Sequence, residues 1–292
     1  MDLITFSDAH QFLSMTQLWL EGTEAKNSLM LGLAFRLMRA PELFKTQPFL
    51  GCVVDAGDLK VAAVMTPPHN LVLAGHPDEE AFQTLAGGLI EQNWSVPGIV
   101  GPDQVSNVFA KVWGRAAGIS PIPRLHMRLY QLDQVVPTAP VPGSLRNARS
   151  EDVPLLTDWV SSFQKEALNE SVSREEACRH AELRVSEQDL FLWDNQQPVC
   201  MAASARPTRN GTSVNLVYTP PEHRRKGYAS ACVAALSQRL LDSGYQFCCL
   251  FTDLSNPTSN RIYMNLGYQP VCDYEEHSFR KAAAGPYPVN TG

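Results

Sequence analysis

Apolar residues along the chain follow two periods, and their alternation predicts strands and helices in turn. Ala229, Cys232, Val233, Leu236 and Leu240 fall at i, i+3, i+4, i+7 and i+11, one apolar stripe of a helix that Ser243-Gly244 ends. An apolar run before it (214–218) and another after it (247–254, FCCLFTDL) read as strands. Strand, loop, helix, strand implies a parallel crossover with any ligand at the strands' carboxyl ends. Further upstream, 145–149 reads as a strand. A helix lined by Leu155, Trp159, Phe163 and Ala167 follows, then a polar helix near 174–186 and strands at 190–194 and 199–206. Downstream, Asn256 suits a helix N-cap and Pro257 the first helical position.

The first half has the same cadence. The pattern predicts a helix near 26–38, strands near 49–55, 59–66 and 70–74, a helix near 77–92, a short run at 98–101, a helix from Asp103 and a strand at 125–132. Between the halves lies Val136-Pro137-Thr138-Ala139-Pro140-Val141-Pro142-Gly143, with three prolines and a glycine. The expected organisation is therefore a domain over 1–136, a linker over 137–144, a second domain over 145–280 and a flexible tail over 281–292. The fold class is α/β, each half closing one mixed sheet.

At 292 residues the chain has room for two ordinary domains. A formal charge of −6 argues against a general nucleic-acid or membrane-surface binder. No stretch has the length of a transmembrane helix, and the N-terminus MDLITFSDAH lacks a basic flank, so a cytoplasmic location is expected. The seven cysteines form no CxxC pair and show no zinc spacing, so no metal is expected. Cys248 and Cys249 are adjacent in a strand and point to opposite faces, which favours packing roles.

Against this acidic background one basic run stands out: Arg224, Arg225 and Lys226, followed by Gly227, Tyr228, Ala229 and Ser230 at a helix start. Free N–H groups at a helix N-terminus, small residues and three cations make a site for a small anion such as a diphosphate. No GxxxxGK(S/T) or GxGxxG is present, which argues against nucleotide hydrolysis and dinucleotide binding. In the next helix Asn256, Asn260 and Tyr263 fall at i, i+4 and i+7, two amides and a phenol on one face.

Arg224-x-x-Gly227-x-Ala229 resembles the (Q/R)-x-x-G-x-(G/A) loop of the GNAT acyltransferases. Asn256-x-x-x-Asn260-x-x-Tyr263-x-x-x-Gly267-Tyr268 resembles the second signature of the same family. The resemblance covers roughly 145–279. It implies an N-acetyltransferase that moves the acetyl group of acetyl-CoA directly to a primary amine of a small molecule or peptide. It further implies that Arg224 to Ser230 grip the pyrophosphate. Backbone groups near Leu216, Val217 and Tyr218 would face the pantetheine and polarise the carbonyl, and Asn256, Ser259 and Asn260 would hold the pantetheine arm. Tyr263 would protonate the leaving thiolate. The base is expected to be Glu166, with Glu170 as second choice.

The first half resembles a second GNAT-like unit, as in tandem-domain bacterial acetyltransferases, or is an unrelated α/β domain. Its equivalent loop, Ala74 to Glu80, carries Asp78, Glu79 and Glu80, which would repel a pyrophosphate. It is accordingly expected to be degenerate and not to bind CoA. A longer-chain acyltransferase resembling the glycine N-acyltransferases, or a CoA-binding regulatory protein without turnover, are the alternatives. The acceptor amine and the oligomeric state stay open.

Overall fold

The structure is a computed structural model and describes residues 1–279; the tail expected over 281–292 lies outside the described residues. Two runs of ten elements follow one another in one order: strand, two helices, three strands, helix, strand, helix, strand. The first run is β1 (Asp2–Thr5), α1 (Ala9–Glu21), α2 (Ser28–Arg39), β2 (Phe49–Asp55), β3 (Asp58–Met65), β4 (Leu71–Gly75), α3 (Glu79–Glu91), β5 (Gly98–Pro102), α4 (Asp103–Ala117) and β6 (Ile122–Leu132). The second is β7 (Ser144–Asn147), α5 (Val153–Leu168), α6 (Arg174–Ser186), β8 (Leu190–Asp194), β9 (Pro198–Ala205), β10 (Gly211–Tyr218), α7 (Tyr228–Asp242), β11 (Phe247–Asp253), α8 (Pro257–Asn265) and β12 (Gln269–Ser278). The mixed α/β class expected from the pattern is thus present, and it is present twice.

Three elements escape the sequence reading: β12 and, at the N-terminus, the strand β1 and the helix α1. Strand β1 is only four residues long. The helix had a usable signal: Asp8 accepts from the Gln11 N–H as its N-cap, and Phe12, Leu13, Thr16 and Leu20 form its buried face. The stripe on α5 also differs from expectation. Burial falls on Leu156, Thr157, Trp159 and Val160, while Ala167 is exposed, so the inward face is turned from the one read along the sequence.

Contacts divide the chain into two compact units that do not coincide with the two runs. Among the described residues one comprises 1–22, 36–127 and 273–279; the other comprises 23–35 and 128–272. In the first unit β1 to β5 lie in order, and the end of β12 completes the sheet by pairing antiparallel to β5, Tyr274 opposite Pro102 through Ser278 opposite Gly98. Helices α3 and α4 supply Phe82, Leu85, Phe109 and Trp113 to its core. In the second unit the order is β6, β11, β10, β9, β8, β7. Helix α7 covers one face through Cys232, Val233, Leu236 and Leu240. On the other face, α5 and α6 pack Leu156, Trp159, Ala177 and Ala181 against Leu190, Leu192 and Leu216. Each unit therefore borrows its last strand from the other run. The residues from 128 to 144, expected to be partly linker, belong to the second unit.

The segment 23–35 joins that unit through a buried carboxylate. Glu24 accepts from the Asn210 backbone N–H and side-chain amide, both at 2.7 Å, at the turn between β9 and β10. Burial alone would raise this carboxyl. Hydrogen bonds from Thr208, Asn210 and the Gly211 backbone outweigh burial and hold it below 4.5. A depressed folded value stabilises the fold above about pH 4.5, and that stabilisation is lost as pH falls through the depressed value. Glu24→Gln should therefore lower stability by about 1–3 kcal/mol at pH 7. Denaturant melts of both proteins at descending pH should show the gap closing below the carboxylate range. A gap that persists unchanged at low pH would rule out the charged clasp.

Candidate functional site

The site is built around the carboxyl end of β10, where two irregularities coincide. Against β9 the register runs Asn215 opposite Ala203 and then Tyr218 opposite Met201, so one extra residue is accommodated between them. Leu216 takes a φ of 51° there, a left-handed conformation in a non-glycine residue at a β-bulge. On the other edge, the parallel ladder to β11 covers only Gly211–Ser213 against Phe247–Cys249. Beyond Ser213 the two strands part, although both continue for several residues. Of the three residues expected to face a thioester, Leu216 and Val217 lie in the bulge, where backbone groups are released from pairing to β9, while Tyr218 resumes the ladder opposite Met201. Nearby, the Asn215 Oδ1 is buried with no hydrogen-bond partner among the described residues.

The loop after β10 delivers the chain to α7 in an unusual way. Arg225 has φ 62° and Gly227 has φ 83°, two left-handed turns within three residues. Gly227 occupies the N-cap position and, among the described residues, no side chain caps the helix. The first N–H groups of α7 are therefore left to solvent or to an anion. Arg225 and Lys226 are exposed and have no partner among the described residues. Tyr228, Ala229 and Ser230 are half-buried in the first turn, the Tyr228 hydroxyl accepting from Asn195 Nδ2 at 3.1 Å. A Cβ built on Gly227 would lie 3.0 Å from Val141 Cγ2. Val141 belongs to the Pro-rich stretch, whose Pro142 carbonyl accepts from the Trp193 indole at 2.9 Å. That stretch packs beside the 224–227 loop and is part of its surroundings.

Arg224 sits otherwise than expected. Its Nε donates to the Thr219 carbonyl at 2.9 Å and its Nη2 to Glu166 Oε2 at 2.6 Å. The guanidinium lies 5.8 Å from the centroid of the Tyr218 ring, and the Tyr218 hydroxyl donates to Glu166 Oε1 at 3.3 Å. Glu166 is thus engaged at both oxygens, by the residue expected to bind pyrophosphate and by the last residue of the bulged strand. Glu170, the second choice for a base, lies past the end of α5, exposed, its backbone N–H bonded to the Gln164 carbonyl.

Helix α8 shows a similar division of roles. The Asn256 side chain caps the helix by accepting from the Ser259 N–H at 3.1 Å. Asn260 is buried; its Nδ2 donates to the carbonyls of Asp253 and Asn256, and its Oδ1 accepts from the Tyr130 hydroxyl at 2.9 Å. Asn260 therefore clasps β11, α8 and β6 together. Tyr263 is the member of the face whose hydroxyl makes no hydrogen bond among the described residues. Its ring meets Tyr268 edge-on at 6.0 Å, and the Tyr268 hydroxyl is paired with Ser237 at 2.8 Å. Burial, with a smaller contribution from the Cys200 and Cys232 thiols, pushes the Tyr263 phenol above its usual 10 and keeps it protonated. A modestly tuned phenol was expected, and the shift is upward.

The equivalent site in the first unit has the opposite chemistry. Helix α3 is capped by Asp78, whose side chain accepts from the Ala81 N–H at 3.1 Å, and its first turn carries Glu79 and Glu80. A resident carboxylate occupies the place an anion would take. The β3–β4 register is also unbroken from Val61 opposite Gly75 to Val64 opposite Val72, without a bulge. Elsewhere, burial pushes the thiols of Cys248 and Cys249 up to about 12 and that of Cys52 up to about 11, which makes them poor nucleophiles. No helix among the described residues is long and apolar enough to cross a membrane.

Residues 195–277, from the Asn195 contact through β12, match the family profile described as FR47-like protein. No curated protein sequence is significantly similar to the chain. Among solved structures, a Drosophila protein is similar over 95% of this chain and 98% of its own, at 13% identity and a TM-score of 0.69. A GNAT-family acetyltransferase from Colwellia psychrerythraea is similar over 96% of this chain and 100% of its own, at 12% identity and a TM-score of 0.58. A tandem GNAT protein from the clavulanic acid biosynthesis pathway is similar over 98% of this chain and 99% of its own, at 14% identity and 0.57. The chain has the tandem GNAT fold.

Gly227 is the position where the loop tolerates least change. An alanine there adds left-handed strain of about 1–2 kcal/mol and meets Val141. Gly227→Ala should lower thermal stability by that order and weaken CoA binding in isothermal titration. Gly227→Asp should abolish binding, because it places a carboxylate at the helix start as Asp78 does in α3. Wild-type CoA affinity in Gly227→Asp would show that the ligand does not use this end of α7.

Proposed function

We propose that this tandem GNAT-fold chain is an acyl-CoA-dependent N-acyltransferase, moving the acetyl group of acetyl-CoA to a primary amine within a ternary complex. The observation that carries the reading is the pairing of an uncapped α7 N-terminus with the bulged, parted end of β10 in one unit. The first unit also has a short parallel ladder, between β4 and β5, but its β4 is not bulged and its α3 is capped by Asp78, so acyl-CoA is assigned to the second alone.

In this reading the N–H groups of Tyr228, Ala229 and Ser230 receive the diphosphate, with Arg225 and Lys226 adding charge. Released backbone groups of Leu216 and Val217 hold the pantetheine and polarise the thioester carbonyl, a fixed-dipole stabilisation of the kind that commonly dominates acyl transfer. Holding donor and amine together supplies much of the remaining acceleration. Asn256 and Asn260 act indirectly, by starting α8 and fixing it to β11, which sets the height of Tyr263. Asn256 and Ser259 remain candidates for contacts with the pantetheine arm at the exposed start of α8.

Tyr263 is assigned the proton for the leaving thiolate. A phenol raised by burial is a weaker acid in isolation. A thiolate released into the same water-poor surroundings is raised by the same desolvation, so the two remain comparable. The free hydroxyl also bears on the alternative of a CoA-binding protein without turnover, since binding alone gives no use to an unpartnered phenol at this place. The amine loses its proton to solvent in this scheme, because Glu166 is already engaged.

Co-purified CoA detected by mass spectrometry, then thiol release across panels of amines and acyl donors, tests the reaction and its chain-length range. Tyr263→Phe should reduce kcat about 10²–10⁴-fold with KM for acetyl-CoA nearly unchanged. Since the active phenol is the protonated one and its value lies above 10, kcat should show no alkaline decline from this group below about pH 10. Near wild-type turnover in the mutant, with chemistry rate-limiting, would remove Tyr263 from the mechanism.

A further inference from the structure

We propose that Glu166 is a positioning residue for the acyl-CoA loop, acting through Arg224. Arg225 and Lys226, and not Arg224, would then provide the charge that the diphosphate meets. The proposal rests on the acyl-CoA reading above and specifies how that site is held.

The geometry distinguishes the three cations of the run. The Arg224 guanidinium spends its donors inside the protein, on the Thr219 carbonyl at 2.9 Å and on Glu166 at 2.6 Å, and it lies over the Tyr218 ring. These contacts tie the C-terminal part of α5 to the end of β10 and to both sides of the turn that leads into α7. The turn needs such a tie. It contains the left-handed Arg225 and Gly227, it is exposed over 224–227, and among the described residues α7 has no side-chain cap to define where the helix begins. Without Glu166, Arg224 would lose the partner that holds its fork in place, and the N–H groups of α7 would no longer be presented in one arrangement. Arg224 and Glu166 together carry no net charge. Arg225 and Lys226 have no carboxylate partner among the described residues, so their charge remains available to an incoming polyanion.

The two possible roles of Glu166 predict opposite signs. Were Arg224 a diphosphate ligand held back by Glu166, removing the carboxylate would liberate a cation and tighten CoA binding. Were Glu166 the base, its removal would depress kcat and leave CoA binding alone. The positioning role predicts weaker binding even though a negative charge has been removed. The ion pair is about half exposed, with side chains 42% and 45% accessible, so the effect is moderate.

Three measurements on the full-length protein test this. Calorimetry with CoA should show Glu166→Ala and Arg224→Ala each weakening binding by about 3–10-fold, with the double variant little worse than either single one. The salt dependence of binding should fall in Arg225→Ala and Lys226→Ala and stay near wild type in Arg224→Ala. Amide hydrogen exchange of the ligand-free protein should accelerate over 219–230 in Glu166→Ala and Arg224→Ala, and less so in Glu166→Gln, which keeps a hydrogen-bond acceptor. Tighter CoA binding in Glu166→Ala, a kcat loss with unchanged affinity, or unaltered exchange over 219–230 would each overturn the proposal. Absence of CoA binding by the wild-type protein would instead defeat the acyl-CoA reading, while the exchange result would still decide whether Glu166 holds the loop.

Discussion

The site depends on one unmet requirement: the first backbone N–H groups of an α-helix have no partner inside the helix. Proteins ordinarily satisfy them with a side chain at the N-cap. At α7 that place is taken by Gly227, which offers no side chain, and the preceding residues hold the chain open through two left-handed turns. A helix start left in this state presents directed donors and a positive dipole end to whatever anion can approach. The bulge in β10, the tie of Arg224 to Glu166 and Val141 all lie around that start.

The two units show how a small chemical change alters the start of equivalent helices. Both runs use the same order of elements, and in both a parallel strand pair flanks a crossover helix. In one, Asp78 supplies an internal cap and two further carboxylates occupy the first turn. In the other, a glycine leaves the cap vacant and two free cations stand beside it. An anion is drawn to the second arrangement and repelled by the first. Because the order of elements is shared, this contrast arises at a few positions, in the side chains of the loop and in the bulge that precedes it.

Polar residues on a helix face need not address a ligand. Asn260 carries the spacing that suggested ligand contact, yet its donors and acceptor are consumed by Asp253, Asn256 and Tyr130. A buried amide satisfied on both sides locks neighbouring elements in register. Tyr263, three residues on, is the one whose hydroxyl stays without a partner among the described residues. The shared face therefore combines a structural clasp with a phenol whose hydroxyl has no partner among the described residues, and the clasp fixes the helix that carries it.

Much of the element order was legible in the sequence, because helical stripes, buried strand runs and punctuating Gly, Pro and Asn are local signals. The loop before α7 was legible for the same reason: a basic run, a glycine and a helix start are adjacent in the chain. What the sequence could not convey were matches between distant positions. The pairing of Arg224 with Glu166 spans 58 residues, the Glu24 clasp spans 186 and the Tyr130–Asn260 bond spans 130. The exchange of terminal strands between the units is likewise invisible to local pattern, since β6 and β12 look the same in sequence whichever sheet they complete. Local propensity determined which elements form and where an anion could bind. Only the tertiary structure decided which charges remained free to bind it, because that depends on which polar groups folding brings together and satisfies.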